Sequence, residues 1–355
     1  MEAITKGTHM KAMVYTTYGS PDVLQLTQVE KPTLRDDDIL IHIHAASLNA
    51  GDRILLRGDP FMVRFTAGLR KPKHQILGAD VAGRVAAVGR TVTQFQVGDA
   101  VFGDLSDSGY GAFAEYVAAP AHAVALKPAR MTFAEAAAVP SAAITALQGL
   151  RDQAQIQPGQ KVLINGASGS VGTYAVQIAK ALGAEVTAVC STQHVDRVRS
   201  LGADHVIDYR LEDYTQNHQY DVILDAAAYR SLAENQRALA PTGVYILVGG
   251  SGGRFLEAMV LGPWRSKKTG QRFRTFVKHP TQQDLMFVKE LLEAGSVAPV
   301  IDRCYPLQAT AEALRYLEAG HTQGKVVITL DESAGATLAR SHAPRARLRA
   351  SCIRC

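Results

Sequence analysis

The chain has 355 residues, 47% of them hydrophobic and 20% charged, with a net charge of +5, the proportions of a soluble globular protein long enough for two domains with separate cores. Much of that charge belongs to the tail, where Arg340, Arg345, Arg347, Arg349 and Arg354 stand against only Asp331 and Glu332, so the remainder is nearly neutral, no basic groove is suggested, and nucleic acid is not an expected partner. No apolar run of about 18 residues and no N-terminal apolar core is present, so neither a membrane partner nor a secretory leader is expected, and the four cysteines fit a reducing, cytoplasmic location.

Met1 to His9 reads as a short loose leader. Lys11 to Thr16 and Val23 to Val29 are extended runs on either side of the turn Gly19-Ser20-Pro21-Asp22. Ile39 to His44 alternates as a half-buried strand does, with His42 and His44 on one face. Two histidines at that spacing raise the question of a metal, but no third ligand follows at a useful distance, and a polar sheet face accounts for them better. Leu77 to Gly89 is rich in glycine without opening a helix, so its glycines read as turns of a β-barrel-like N-terminal domain, followed by a strand at Ala100 to Phe102. At Pro128 the composition changes. Thr132 and Glu135 form a T-x-x-E capping box at the head of an alanine-rich run, and a second helix is predicted from Ala142 to Arg151.

The most informative stretch is Lys161 to Ser191. Lys161 to Asn165 is a short apolar run opened by Pro158-Gly159, as a buried parallel strand begins. Gly166, Gly169 and Gly172 follow at three-residue spacing, and Val171, Ala175, Ile178 and Leu182 then recur at helical spacing until Gly183. A strand at Glu185 to Val189 completes a βαβ unit. Glycines at such a turn let a diphosphate approach backbone amides at a helix N-terminus, so the unit reads as a dinucleotide site. Where NAD sites place a carboxylate for the ribose 2′-hydroxyl, this chain has Cys190, Ser191 and Thr192, with His194 and Arg197 within a turn. Hydroxyls and positive charge favour a 2′-phosphate, hence NADPH. Ser191 and Thr192 equally fit a helix cap.

Beyond it, strands are predicted at His205 to Tyr209, Tyr220 to Ala226, Gly243 to Val248 and Arg274 to Lys278, with helices between them. That order implies a parallel, doubly wound sheet with its ligand at the carboxyl edge. Amphipathic helices at Asp284 to Ala294 and Ala309 to Ala319 alternate with extended pieces at Val300 to Tyr305 and Lys325 to Leu330. Residues 332–355 show no period and read as a disordered, Arg-rich tail. Cys352 and Cys355 form a C-x-x-C on it, where no structural zinc is expected.

Ser47 to Asp52 (SLNAGD), Leu77 to Gly83 (LGADVAG), Gly98 to Val101, Asn165 to Gly172 and Gly324 to Ile328 (GKVVI) occur together in one order. In this the chain resembles the zinc-independent medium-chain dehydrogenases/reductases of the quinone oxidoreductase, zeta-crystallin-like branch, over Met10 to Leu330. The resemblance implies an α/β protein: a GroES-like β-barrel catalytic domain from both chain ends (10–130 and 280–331) with a Rossmann doubly wound parallel sheet (131–279) inserted. It maps the diphosphate onto Ser168, Gly169, Ser170 and Val171, and the nicotinamide near Thr145 and near Gly249 and Gly250. Lys325 would reach the diphosphate. Tyr209 would pack by the adenine and 2′-phosphate, with Ser191 and His194 beside it; a solvated Lys325 and a core Tyr209 are the plainer alternatives.

Where zinc-dependent relatives place catalytic ligands, the matching positions are Asn49, Ala79 and Ser141. Alanine has no donor atom, and neutral Asn and Ser replace thiolate poorly, so no metal site is expected. Without one, the hydride acceptor must be intrinsically electrophilic or polarised by hydrogen bonds. Asn49 is the candidate donor, though it equally fits a loop-stabilising role; Tyr110 or water would supply the proton. The tyrosine that some relatives carry shortly after this Asn is absent from Arg53 to Leu56. The insertion Arg57 to Gln75 and the stretch Leu261 to Gln271 are expected near the substrate cleft. The expected activity is NADPH-dependent reduction of a small electrophilic acceptor, a quinone or an α,β-unsaturated carbonyl, by a homodimer. A zinc-free alcohol or aldehyde dehydrogenase, and a non-catalytic crystallin-like or RNA-binding role, are the competing readings.

Overall fold

A computed structural model describes residues 8–216, 219–250, 252–320 and 322–330. Strands β1 (His9–Val14) and β2 (Gln25–Glu30) form a separate antiparallel pair. The first strand therefore begins at His9, inside the stretch expected to be loose. β3 (Asp38–Ser47) alternates as anticipated and leads into α1 (Ala50–Arg57). Glycine at Gly58, with φ +56°, ends α1, and a short α2 (Arg64–Ala67) follows.

The glycine-rich stretch after Leu77 corrects the sequence expectation. It is mostly strand β4 (Asp80–Val88), which pairs along β3. Gly83 lies within that pairing: a Cβ there would stand 2.1 Å from the His42 carbonyl oxygen, so the residue permits close backbone approach and makes no turn. β5 (Ala100–Asp104), β6 (Tyr116–Pro120) and β7 (Val124–Leu126) follow. The capping box forms as read: Thr132 Oγ1 accepts from Glu135 N at 3.2 Å at the start of α3 (Phe133–Ala137). Pro140 opens α4 (Pro140–Leu147), which continues as a π-helical stretch over Gln148–Ala154.

The second sheet starts with β8 (Lys161–Asn165), α5 (Ser170–Ala181), β9 (Glu185–Cys190), α6 (Val195–Ser200) and β10 (His205–Asp208). It continues through β11 (Tyr220–Asp225), α7 (Leu232–Ala238), β12 (Leu239–Leu247), α8 (Gly252–Thr269) and β13 (Arg272–Thr275). Its order is β10-β9-β8-β11-β12-β13 and every pairing is parallel. The order reverses direction beside β8, the switch point at which such sheets bind ligands. The last strand comes earlier than the predicted Arg274 to Lys278, and Leu261 to Gln271 is largely helix.

α9 (Gln282–Glu293), β14 (Ile301–Pro306), α10 (Thr310–Glu318) and β15 (Lys325–Thr329) return the chain to the first sheet, whose order is β14-β15-β3-β4-β5-β7 with β6 on β3. Both chain ends thus build one mostly antiparallel sheet around an inserted parallel one, as a GroES-like domain with a Rossmann unit requires. One core runs through both: Ala45, Ala82, Phe102 and Val327 of the first sheet share a buried cluster with Ile144, Val162 and Tyr174. Each large side chain buried there contributes about 1.5–3 kcal/mol. The Arg-rich tail, with Cys352 and Cys355, lies outside the described residues.

Candidate active site

At the carboxyl ends of β8, β9 and β11 a cleft of about 560 Å³ opens, lined by Ser168, Gly169, Ser191, His194 and Tyr209 among others. Five of the sequence-predicted cofactor residues therefore meet in one place. One position of the turn that floors the cleft leaves no room for a side chain: a Cβ on Gly172 would stand 2.1 Å from the Gly166 carbonyl oxygen. Gly169 caps α5 without a side chain, so the first amides of a twelve-residue helix have no capping acceptor from that position. Those amides belong to Ser170, Val171 and Gly172, and they suit an anionic diphosphate. The Ser170 hydroxyl is turned away and donates to the Gly324 carbonyl at 2.8 Å, while Val171 packs against the core.

Residues that the sequence reading passed over complete the cleft. Arg210, Tyr229, Asn165, Gly320 and Thr322 line it too. The Tyr209 and Tyr229 rings have centroids 6.0 Å apart and are 43% and 71% exposed, so Tyr209 is not a core tyrosine. Arg210 follows Tyr209 directly, a signal available in the sequence. Tyr229 lies in a loop with no pattern to mark it.

The charge around Ser191 differs from expectation in two respects. His194 is buried, and that burial, with Arg197 and Arg210 nearby, lowers its pKa from the ordinary 6.5. It is uncharged at neutral pH and does not supply the expected positive charge. Arg197 can: its Nε and Nη2 are buried with no hydrogen-bond partner among the described residues. A carboxylate also stands closer than the local sequence implied, because Asp208 on β10 pairs with Cys190 across the sheet. It is held low by a hydrogen bond from Thr192, and its Oδ1 accepts from Arg210 N at 3.0 Å.

Beneath the cleft, Asp225 is fully buried at the end of β11. It accepts from Asn165 Nδ2 at 2.8 Å, Ala228 N at 2.6 Å, Ala227 N at 3.1 Å and the Tyr245 hydroxyl at 2.8 Å. These bonds hold the 226–228 loop, on which Gly249 and Gly250 lie. Added Cβ atoms there would stand 2.6 Å from the Ala226 carbonyl oxygen and 2.3 Å from Ala228 Cβ.

The second half of the site is a buried polar centre. Asn49, just before α1, has its backbone N–H bound by Asp52 at 2.7 Å. Burial pushes Asp52 up to about 7, against the amides of Asn49 and Gly78 that favour its charged form. The Asn49 amide nitrogen donates to Asp80 at 3.0 Å, and Ser47 Oγ donates to the same oxygen at 2.7 Å. The other Asp80 oxygen accepts from Ser141 N at 2.8 Å, and Thr145 Oγ1 donates to Ser141 O at 2.7 Å. Asn49 and Thr145, one from each sheet's side, are thus joined through Asp80 and Ser141.

Lys325 overturns its expectation. It is fully buried, and its Nζ donates to Asn49 Oδ1 at 2.7 Å, Asp80 at 2.9 Å and Leu48 O at 3.1 Å. All three ammonium hydrogens are used, so the side chain is neither solvated nor directed at the diphosphate turn. The same centre tests the zinc-site positions. Ala79 offers no donor, Asn49 and Asp80 are engaged by an ammonium, and no group of three or more metal-capable His, Cys, Asp or Glu occurs among the described residues. The residues do not fit a tetrahedral metal.

Tyr110, considered as a proton source, lines a different cavity of about 530 Å³ with His74 and Tyr116. Burial pushes its hydroxyl up to about 12. The insertion is tied to the preceding chain by Tyr18 Oη, which donates to Gly68 O at 2.5 Å, and within itself by Arg64 Nε, which donates to Gly58 O at 2.9 Å. Lys278 joins the two halves, bonding Asp104 and, at 2.8 Å, Ser106.

Comparison with known proteins agrees with this geometry. Residues 35–129 match the alcohol dehydrogenase GroES-like domain and residues 201–328 a family described as zinc-binding dehydrogenase. The chain is 36% identical to 2-methylene-furan-3-one reductase of Solanum lycopersicum, over 92% of this chain and 80% of that one. It is 33% identical to the chloroplastic NADPH-dependent alkenal/one oxidoreductase of Arabidopsis thaliana, over 90% and 79%. The solved quinone oxidoreductase of Coxiella burnetii superposes with a TM-score of 0.80 at 29% identity, covering 91% of this chain and all of that one. The fold, the cleft and these relatives together place the chain in the quinone oxidoreductase branch of the medium-chain dehydrogenase/reductase family.

Proposed function

We propose that this protein is an NADPH-dependent reductase of quinones or α,β-unsaturated carbonyls that works without a metal. The observation that carries the reading is the pair of half-sites: a dinucleotide cleft lined by Ser191, His194 and Arg210, with Arg197 near His194 and two of its buried nitrogens without a hydrogen-bond partner among the described residues, and a polar centre in which Lys325 and Asp80 engage Asn49. NADPH, when bound, supplies the hydride. Its diphosphate would lie on the Ser168 to Val171 amides, its adenine between Tyr209 and Tyr229, and its 2′-phosphate by Ser191, Arg197 and Arg210. Thr145, Gly249 and Gly250 would border the nicotinamide end.

The protein's own contribution is orientation and charge stabilisation. Asn49 Nδ2 has two hydrogens and the Asp80 bond uses one, leaving the other to stabilise the acceptor oxygen as it gains charge. A quinone or enone needs no stronger electrophilic help. The final proton comes from water in this reading, because Tyr110 lines another cavity. The printed names of the reductase relatives support this acceptor class.

β13 ends the parallel sheet with one side unpaired among the described strands; we propose that a second copy pairs there to make a homodimer. No described helix is long and apolar enough to cross a membrane, and a cytoplasmic location is proposed. The test is NADPH consumption by chelator-treated protein offered 1,4-benzoquinone and, separately, 2-cyclohexen-1-one, with NADH in parallel. Rapid consumption with NADPH alone supports the proposal. NADPH binding with neither acceptor reduced, or activity that requires added zinc, overturns it.

A further inference from the structure

We infer that Lys325 is a positioning residue for the reaction, and that its buried ammonium aims the Asn49 amide at the acceptor carbonyl. The inference rests on the reductase reading above. A side-chain amide can be turned either way, and only one end can donate. Here both ends are determined. An ammonium has only donors, so the Asn49 atom 2.7 Å from Lys325 Nζ must be the oxygen. An ionised carboxylate only accepts, so the Asn49 atom 3.0 Å from Asp80 must be the nitrogen. Reversing the amide would set NH₂ against NH₃⁺ and oxygen against carboxylate.

The arrangement has no slack. Lys325 and Asp80 are both fully buried and 2.9 Å apart. Asp80 Oδ2 also takes Ser47, and Oδ1 takes Ser141 N. The third Lys325 hydrogen is bound by Leu48 O, one residue before Asn49. The ammonium therefore holds both the backbone and the side chain at this point. Burying an ion pair is costly and adds little net stability compared with an apolar pair of the same shape, so a directional role explains its presence better than a purely stabilising one. The pair stands among the positions that hold zinc ligands in zinc-dependent relatives, and one fixed positive charge there orients a neutral donor.

The role differs from a diphosphate contact in what it changes. A phosphate-binding lysine governs NADPH affinity. A positioning lysine governs kcat, and does so most for acceptors that need their carbonyl polarised. The test compares the full-length protein with Lys325→Gln and with the double variant Lys325→Met, Asp80→Asn, which leaves no buried lone charge. Gln keeps an N–H donor for Asn49 Oδ1 and Met does not.

The expected result is a dissociation constant for NADPH within about twofold of the original in both variants. Turnover of 2-cyclohexen-1-one should fall by at least about tenfold in the Met/Asn protein, with part of the loss restored in the Gln protein. Turnover of 1,4-benzoquinone should fall less. A tenfold loss of NADPH affinity with kcat unchanged would assign Lys325 to the cofactor and overturn the inference. Equal turnover in all three proteins, or equal losses in the Gln and Met/Asn proteins, would also overturn it. If the double variant does not fold, Lys325→Gln alone decides between a kcat and an affinity effect. Failure of the parent protein to reduce either acceptor would instead strike the reductase reading.

Discussion

Asn165 and Asp225 close a hydrogen bond of 2.8 Å between the ends of neighbouring strands β8 and β11, directly under the dinucleotide cleft. Asp225 is buried with four donors around it, and burial still raises its pKa above the ordinary carboxylate value. Replacing it with alanine leaves those donors unsatisfied. Asp225→Ala should lower the free energy of unfolding by about 2–3 kcal/mol, and the remaining folded protein should bind NADPH at least about tenfold more weakly. Denaturant unfolding and fluorescence titration measure the two effects separately.

Cofactor choice should depend on arginine. Arg197→Ala and Arg210→Ala should each weaken NADPH binding by roughly tenfold and leave NADH binding within about twofold, since each removes a charge-assisted contact to a phosphate that NADH lacks. Parallel titrations with both nucleotides give the ratio directly. Equal losses for both nucleotides would place the arginines elsewhere on the cofactor.

His194 gives the cleft a pH dependence of defined sign. Its pKa in the free protein is depressed, so its contribution to stability is present above 6.5 and is lost as pH falls through the folded value. Bound 2′-phosphate favours the imidazolium. NADPH affinity should therefore rise as pH drops below the ordinary imidazole range, more steeply than NADH affinity, and His194→Gln should remove the difference. Affinity measured from pH 5 to 8 at constant ionic strength checks it, the range being about that in which imidazole titrates.

Two glycines three residues apart should behave differently. Gly172→Ala places a Cβ 2.1 Å from a backbone oxygen, which cannot yield without opening the turn, and should lower Tm by several degrees and abolish NADPH binding. Gly169→Ala meets its nearest atom at 3.4 Å and should fold with a Tm close to that of the parent. Thermal melts with and without NADPH distinguish them.

Much of the parallel sheet was legible because its strands are buried on both faces and bounded by turn residues. Lys161 to Asn165 was placed to the residue, with Pro158-Gly159 before it and Gly166 after it. The last strand was misplaced because β13 is a short edge strand whose alternating arginines resemble a loop. The glycine turn and Ser191 were legible from local pattern, whereas Tyr209 came only from the family resemblance; all three line the cleft. Lys325 was misread since its partners, Asn49 and Asp80, are far away in sequence and reach it only once both chain ends share a sheet. The charge of His194 was misjudged for a related reason: solvent exclusion is decided by the packing around it, and a one-dimensional pattern shows only that a histidine is present.

β15 lies between β14 and β3, so a strand from residues 325–329 pairs with one made far earlier, at Asp38–Ser47. During translation the parallel sheet can form as soon as β13 emerges, while the part of β3 at residues 45–47 that awaits β15 stays unpaired on that edge until the chain has been made through residue 329. Lys325 arrives on that same strand, and until then Asp80 has no cation beside it. Until then the chain carries an unpaired strand edge and an uncompensated acidic centre at the same place, a combination that favours mispairing.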